Sequence, residues 1–249
     1  MSENKLILNE KTKLLTEDVL DYLDKNSNPL DIMYSYYECA IMEVETKFNV
    51  LNRQLSVYYD HNPIESISSR IKSKNSLVRK MLKLNVKLDI PDIMENINDI
   101  AGVRVVCSFV EDIYELEKSF LSQDDVKLIQ RKDYIANPKE SGYRSLHLIV
   151  EVPIFLKDEK KMMRVEVQMR TIAMDFWASL EHKIRYKKNL QEADLLEISN
   201  DLKDCAEQAH QLDMKMQDIH AKIVNAKHSA PPNSFSEIIK NRLSNRAKG

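Results

Sequence analysis

Glycine is scarce in this chain, and its positions restrict the kinds of site that the chain can build. Only three of the 249 residues are glycines, and one of these is the terminal Gly249. Gly102 and Gly142 are therefore the only interior positions where the backbone can freely take a positive φ. Neither belongs to a glycine-rich phosphate loop or a G-x-G-x-x-G turn, which excludes a P-loop or Rossmann-type site. Any phosphate that the chain binds must be held mainly by side chains.

The composition is that of a globular chain. Hydrophobic residues make up 43% of it and charged residues 31%, which separates it from disordered chains. No segment approaches the roughly 20 apolar residues of a membrane span, and no long apolar run follows the polar start Met1–Lys5. Cys39, Cys107 and Cys205 are odd in number and far apart, which favours reduced thiols over a disulfide framework or a metal site. We expect a cytoplasmic protein without a membrane segment.

A basic segment interrupts an otherwise balanced charge distribution. The net charge is −2, yet the stretch from Arg70 to Lys87 holds seven basic residues and no acidic one. Because solvated helix faces usually mix both signs, the stretch suggests a polyanionic ligand, although a solvated face is an equal alternative. Its basic residues are Arg70, Lys72, Lys74, Arg79, Lys80, Lys83 and Lys87.

Four segments have the character of β-strands, by β-branched content or by alternation of apolar and polar residues. The last two are separated by about ten residues, which fits an antiparallel hairpin with a longer loop. In that hairpin Leu146, Leu148, Val150 and Val152 share one face, and Tyr143, Ser145 and His147 share the other. The strands are expected at Val103–Cys107, Val126–Tyr134, Tyr143–Val152 and Met163–Arg170.

Apolar residues at helical spacing predict helices around these strands. Ser76 and Thr171 stand where helix N-caps are expected, and Phe176, Trp177 and Leu180 belong to the apolar stripe of the helix after Thr171. The expected fold is α+β, a small mixed sheet with helices on one side and at both ends. The helices are expected near Leu14–Leu23, Pro29–Tyr59, Ser76–Leu88, Asp92–Ile97, Glu111–Gln123, Thr171–Lys188 and Ala193–Ala226.

Polar side chains on the two hairpin strands form a face that cannot be an apolar core. It carries Tyr143, His147, Glu166, Gln168 and Arg170, and burying such groups unpaired would cost several kcal/mol each. The face is therefore either a solvated edge or a polar pocket, and the variety of chemical groups favours the pocket.

A further carboxylate, Asp99, stands just before the first strand of this set. It is either a turn residue or a partner of Glu166 in holding a divalent cation. Two carboxylates that leave several positions for water and phosphate suit Mg²⁺.

Five ordered blocks of sequence resemble the small alarmone synthetases, the single-domain members of the RelA/SpoT group. They cover about residues 58 to 188, and a series of matches in this order is far more specific than any one motif. The blocks are Arg70–Ser76 with Arg79 and Lys80, Asp99–Val105, Arg131–His147, Glu166–Thr171, and Phe176–Lys183.

The resemblance implies a nucleotidyltransferase-like synthetase domain with Mg²⁺ as its cofactor. The β,γ-pyrophosphate of ATP would pass to the ribose 3′-hydroxyl of GDP or GTP, which releases AMP and yields the alarmone (p)ppGpp of the stringent response. The implied organisation is a helical region at 1–57, the catalytic domain at 58–188, a C-terminal helix at 189–228 and a mobile basic tail at 229–249. A homotetramer is implied as well, without membrane association, and nucleic acid is not an expected partner.

The same resemblance assigns roles to individual residues. Asp99 resembles the Mg²⁺ ligand, and Glu166 is either a second ligand or the base that accepts the 3′-hydroxyl proton. Gly142 permits the tight turn that brings the next ring to a ligand. On the donor side, Arg70 and Arg104 resemble the pair that stacks on adenine, and Lys72, Ser76 and Lys80 resemble contacts to the ATP phosphates. On the acceptor side, Tyr143 resembles the ring that stacks on guanine, and Lys139, His147, Gln168 and Arg170 resemble contacts to phosphates and ribose.

Two further expectations concern activity and regulation. His61 is followed by Asn62, so it does not begin the His-Asp motif of alarmone hydrolases, and no hydrolase activity is expected. The product-activated subgroup has an asparagine where this chain has Asp175, and a carboxylate would repel a polyphosphate, so product activation is not expected. The alternatives are an enzyme that pyrophosphorylates the 3′ end of tRNA and a non-catalytic RNA-binding regulator. The preference between GDP and GTP stays open.

Overall fold

The computed structural model describes residues 16, 19, 27–58, 61–185 and 192–229. Thr16 and Val19 are helical, and the rest of the helix expected near Leu14–Leu23 lies outside the described residues, as does the tail beyond Ser229. The helices are α1 (Ser27–Tyr58), α2 (Lys74–Leu84), α3 (Ile90–Asn96), α4 (Val110–Leu121), α5 (Ile172–Arg185) and α6 (Glu192–Ser229). The strands are β1 (Ile64–Ile71), β2 (Ala101–Cys107), β3 (Lys127–Asp133), β4 (Leu146–Phe155) and β5 (Lys160–Thr171).

The five strands form one mixed sheet in the order β1-β2-β5-β4-β3. β2 and β5 run parallel, and the other three neighbouring pairs are antiparallel. The expected α+β fold is thereby confirmed, including the antiparallel pairing of β4 with β5. The central position of β2 and β5 places the segments of Asp99 and Glu166 side by side.

One face of the sheet is covered by helix α1 and forms the main core. Tyr37, Val44 and Phe48 of α1 are buried there, and the Phe48 ring stacks on Phe120 of α4 with centroids 4.4 Å apart. Burying a side chain as large as Phe48 contributes about 1.5–3 kcal/mol. The four apolar residues expected to share a face of β4 are all fully buried: Leu146, Leu148, Val150 and Val152. The period of two therefore locates the core face correctly.

Strand β1 is not anticipated by the sequence pattern. Its isoleucines Ile64, Ile67 and Ile71 are spaced by three and four residues, which resembles a helix more than a strand. It is an edge strand, largely exposed, and its pairing with β2 is irregular between Ile64 and Ser66. An edge strand has only one neighbour, so the alternation that burial imposes on central strands is weak.

The boundaries around α2 differ from those expected. Ser73, not Ser76, is the N-cap, and its Oγ accepts the backbone N–H of Ser76 at 3.3 Å. The helix ends at Leu84 and is capped by Asn85, whose φ of 55° is left-handed, a conformation that asparagine tolerates. Pro91 lies in the first turn of α3 instead of ending α2, because proline suits a helix start.

The later part of the chain also contains two differences. The β4–β5 connection spans only 156–159, closed by a 2.8 Å bond from Leu156 N to Glu159 O, so the expected ten-residue loop is too long. Thr171 caps α5 as expected, since its Oγ1 accepts the N–H of Met174 at 3.2 Å. The apolar stripe of α5 is divided, however, with Trp177 buried and Phe176 64% exposed.

Candidate functional site

The candidate site lies on the face of β2, β4 and β5 that α1 leaves uncovered. Pairing places Gly102 beside Glu166 and Arg104 beside Gln168, and it places Gln168 beside His147. Residues at paired positions project to the same face of a sheet and lie close enough to interact. Regular pairing alone therefore gathers polar groups from three strands.

Five of these side chains are joined in a closed ring of hydrogen bonds. His147 Nδ1 lies 3.3 Å from Glu166 Oε1, and His147 Nε2 lies 2.8 Å from the Tyr143 hydroxyl. Arg170 Nη2 donates to the Tyr143 hydroxyl at 2.7 Å and to Gln168 Oε1 at 3.1 Å. Gln168 Nε2 donates to Glu166 Oε2 at 2.9 Å. A proton on Nδ1 is donated to Glu166, so the imidazole supports the ionised form of that carboxylate.

The ring holds Glu166 in its ionised form. Burial raises the pKa of this carboxyl, but the hydrogen bond and charge of His147, the hydrogen bond from Gln168 and the charge of Arg70 outweigh it. The pKa falls to about 2. A carboxylate with so low a pKa suits a cation, and it accepts a proton only after its surroundings change.

Asp99 occupies a basic corner next to the start of β2. Lys80 Nζ lies 2.7 Å from Asp99 Oδ1, and Lys72 Nζ lies 3.2 Å from Asp99 Oδ2. Lys72 follows β1 and Lys80 belongs to α2, so two residues of the basic segment converge on one acid. Ser76 lies one turn before Lys80, where its hydroxyl accepts from Ser73 Oγ at 2.9 Å.

The two carboxylates fit a cation that completes its shell with phosphate and water. Within the part of the chain that the structure describes, no group of three or more His, Cys, Asp and Glu side chains is placed to bind a metal. Mg²⁺ is commonly held by one or two carboxylates together with substrate phosphates. Asp99 lies two residues before β2 and Glu166 lies in the adjacent parallel strand β5, so the two acids are the candidates for such a donor set.

An open cleft of about 220 Å³ lies over the paired strands β1 and β2 and reaches Gln168 of β5. Arg70 and Arg104 both line it, and the Arg70 side chain passes over Gly102, where an added Cβ would be 3.6 Å from Arg70 Cγ. Gly102 does not take a positive φ, whereas Gly142 does, at 85°. The full lining is Ser68, Ser69, Arg70, Gly102, Val103, Arg104 and Gln168.

Asp175 joins two of the expected site arginines, a contact that the sequence does not reveal. Its Oδ1 lies 3.3 Å from Arg104 Nη1 and 3.0 Å from Arg170 Nη1. Burial and the charge of Arg170 lower the pKa of Arg104, and Asp175 opposes this change. The carboxylate thus offsets the mutual repulsion of guanidinium groups on this face. Its position five residues after Arg170, in the first turn of α5, is the only sequence signal for the contact.

The loop between β3 and β4 carries the remaining expected residues. The Lys139 ammonium lies 4.6 Å from the ring centroids of both Tyr134 and Tyr143, and Gly142 N donates to Lys139 O at 2.8 Å. Tyr143 precedes β4 instead of lying in it, and its ring also faces Arg170 at 5.2 Å. Tyr134 is a member of this aromatic group that the sequence reading did not single out.

A comparison with known families supports the sequence resemblance. Residues 69–191 match the family described as a region found in RelA / SpoT proteins. GTP pyrophosphokinase YwaC of Bacillus subtilis is 44% identical over 180 residues, which are 72% of this chain and 85% of the relative. GTP pyrophosphokinase YjbM of the same organism is 34% identical over 190 residues, 76% of this chain and 88% of the relative.

Solved structures give the same result for the fold. Small alarmone synthetase 2 from Bacillus subtilis has a TM-score of 0.67 at 42% identity, covering 77% of this chain and 97% of that one. Small alarmone synthetase 1 from Bacillus subtilis, bound to its product pppGpp, has a TM-score of 0.70 at 32% identity, covering 79% and 99%. This chain therefore belongs to the RelA/SpoT family, among its small alarmone synthetases.

Proposed function

We propose that this protein synthesises (p)ppGpp by transferring the β,γ-pyrophosphate of ATP to the ribose 3′-hydroxyl of GDP or GTP. The observation that carries the proposal is the ionised Glu166, which is hydrogen-bonded to His147 and lies in the field of Arg70. Arg70 lines the cleft of the proposed donor side, and His147 is hydrogen-bonded to Tyr143 on the proposed acceptor side. Glu166, which interacts with both, therefore lies between the two sides. The named relatives, both GTP pyrophosphokinases, agree with this reaction.

The donor nucleotide would bind along the cleft and the basic corner. Arg70 and Arg104 present guanidinium planes, which stack well on a purine. Lys72 and Lys80, now paired with Asp99, are the cations nearest the corner and would exchange that carboxylate for ATP phosphates. Ser76, at the N-terminal turn of α2, would add a hydroxyl to the same phosphate site.

The acceptor nucleotide would bind against the loop before β4. Tyr143 offers a ring on which guanine would stack. The Lys139 ammonium lies over that ring at 4.6 Å, so guanine would take its place. Arg170 is buried and charged, which fits a role in positioning the acceptor more than free phosphate capture. His147 and Gln168 orient Glu166 and face the space where the ribose would lie.

The transfer needs positioning and charge neutralisation more than covalent chemistry. The 3′-oxygen attacks the β-phosphorus, the bond from that phosphorus to the oxygen bridging to the α-phosphate breaks, and AMP leaves. The hydroxyl proton passes to Glu166 in the proposed base role. Negatively charged phosphates bound nearby would raise the pKa of this carboxyl from about 2. Mg²⁺, when bound by Asp99 and Glu166, would neutralise charge developing on the transferred group.

One assay separates this function from its alternatives. Purified protein is incubated with ATP, Mg²⁺ and GDP, GTP or tRNA, and the nucleotides are then resolved. AMP together with a 3′-pyrophosphorylated guanine nucleotide is the expected result. Transfer to tRNA alone would support the tRNA-modifying alternative, and no transfer would support a binding regulator. Added (p)ppGpp should persist, because no hydrolase activity is proposed.

Exposed apolar stripes support a further proposal, that the protein is a homo-oligomer and by family analogy a homotetramer in the cytoplasm. The exposed apolar residues of α5 lie four positions apart, and those of α6 lie three or four positions apart. Each set therefore forms a stripe along one side of its helix. Light scattering should give a mass several times that of one chain, and Phe176→Glu should lower it. The stripes are Ile172, Phe176, Leu180 and Ile184 on α5, and Leu212, Met216, Ile219 and Ile223 on α6.

None of the described helices is long and apolar enough to cross a membrane.

A further inference from the structure

Helix α6 lies directly against the turn that precedes Tyr143. Gly142 has a φ of +85°, and a Cβ added there would lie 2.5 Å from the Cβ of Ala206, far inside any normal contact. The next nearest atom, the backbone oxygen of Lys203, would be at 3.7 Å. The absence of a side chain on Gly142 and the small side chain on Ala206 together allow this approach.

The residues after Gly142 also contact α6. Arg144 Nη2 donates to Glu207 Oε2 at 3.2 Å. The Tyr143 ring packs against a buried cluster formed by Trp177, Ala178, Leu202 and Ala206. Gly142 and Arg144 therefore meet α6, and Tyr143 packs on the cluster that α5 and α6 form together, while its hydroxyl enters the ring around Glu166.

Helix α6 is itself fixed at several points. Thr171 Oγ1 donates to Asp213 Oδ2 at 2.6 Å, and both residues are buried. Trp177 Nε1 donates to Leu202 O at 2.8 Å. Farther along, Gln217 Oε1 accepts the N–H groups of Val110 and Glu111 at the start of α4, at 3.1 and 3.3 Å. An anchored helix cannot move away easily, so a larger residue at 206 would displace the loop instead.

We propose that Ala206 is a positioning residue for the guanine nucleotide, acting through Gly142 on Tyr143. The inference rests on the proposed function, because it assigns Tyr143 to the acceptor. Ala206 lies in α6, which begins at Glu192, just beyond the segment 69–191 that matches the family. The residue touches the acceptor loop from outside that segment and is not among the residues that line the cleft of Arg70 and Arg104.

The test compares Ala206→Val with Ala221→Val, the same change at an exposed position of the same helix. Ala206→Val should weaken GDP binding and raise the KM for GDP by roughly tenfold, the scale of an overpacked contact. The KM for ATP, the affinity for a non-hydrolysable ATP analogue and kcat at saturation should change less than twofold. Ala221→Val should match the wild type in all of these.

Each contrary outcome has a defined meaning. If Ala206→Val binds GDP normally, or if it weakens GDP and the ATP analogue equally, the positioning role is overturned. A wild-type protein that binds GDP but makes no alarmone would instead refute the proposed function.

A second pair of variants keeps the test independent of folding losses. Gly142→Ala should impair GDP binding through both the positive φ and the contact with Ala206. Adding Ala206→Gly removes the opposing Cβ and should recover part of the lost affinity, leaving only the backbone strain. No recovery in the double variant would show that the Gly142–Ala206 contact does not control the loop.

Discussion

His147 Nδ1 lies 3.3 Å from Glu166 Oε1, and this contact is a main reason why the carboxylate stays ionised despite its burial. His147→Ala should raise the pKa of Glu166 from about 2 toward its ordinary 4.5. The group's folded pKa lies below its unfolded value, so it stabilises the fold above pH 4.5, and this contribution is lost as the pH falls toward 2. The variant should therefore lose less stability than the wild type as the pH falls from 4.5 toward 2.

Carbon-detected NMR of labelled glutamate side chains would follow that titration directly. The same shift in the wild type and the variant would show that His147 does not hold the carboxylate. Glu159→Gln, which removes an exposed carboxylate in the β4–β5 turn, serves as the control for assignment.

Glu166→Gln should abolish turnover while ATP binding is largely kept, because the side chain keeps its shape but loses its charge. If Glu166 acts only as the general base, kcat should fall while the Mg²⁺ requirement stays the same. If it is a metal ligand, the variant should need more Mg²⁺. Rates measured across a Mg²⁺ titration distinguish the two roles. Normal turnover by this variant would exclude both.

The sequence predicts the face of this site but not its internal pairing. His147 and Glu166 could be assigned to one polar face because alternation on central strands is enforced by the core on their other side. Strand β1 could not be found, since an exposed edge strand carries no such constraint. The pairing of Asp99 with Lys72 and Lys80 brings together three separate elements, and no local spacing encodes that meeting. The family motifs indicated that these residues bind a nucleotide, but only the three-dimensional structure shows which of them contact each other.

Asp99→Asn should separate metal dependence from nucleotide affinity. The change removes a proposed Mg²⁺ ligand and also frees Lys72 and Lys80 from a carboxylate partner. Turnover should be lost, but binding of an ATP analogue in EDTA should be equal to the wild type or stronger. Isothermal calorimetry with and without Mg²⁺ would measure this, and a variant whose ATP binding collapses in EDTA would contradict the assigned pairing.

Product activation is not expected, although the structure changes the reason. Asp175 is paired with Arg104 and Arg170, so its negative charge is partly neutralised by these arginines. Repulsion of a polyphosphate is therefore not the main effect of this carboxylate. Initial rates with and without added pppGpp should agree within twofold. A several-fold acceleration would place this protein with the product-activated enzymes.

Asp175→Asn tests whether one carboxylate holds the two arginines in place. Arg170 is buried, and leaving its charge without a carboxylate should lower the free energy of unfolding by about 1–3 kcal/mol, the scale for a hydrogen bond to a charged group. Urea unfolding measures this loss, and Asp158→Asn at the exposed β4–β5 turn is the matched control. Arg170 also donates to Tyr143 and Gln168, so its displacement should weaken acceptor binding as well. If stability and GDP affinity both stayed at the wild-type level, the bridge would be a surface contact without consequence for the site.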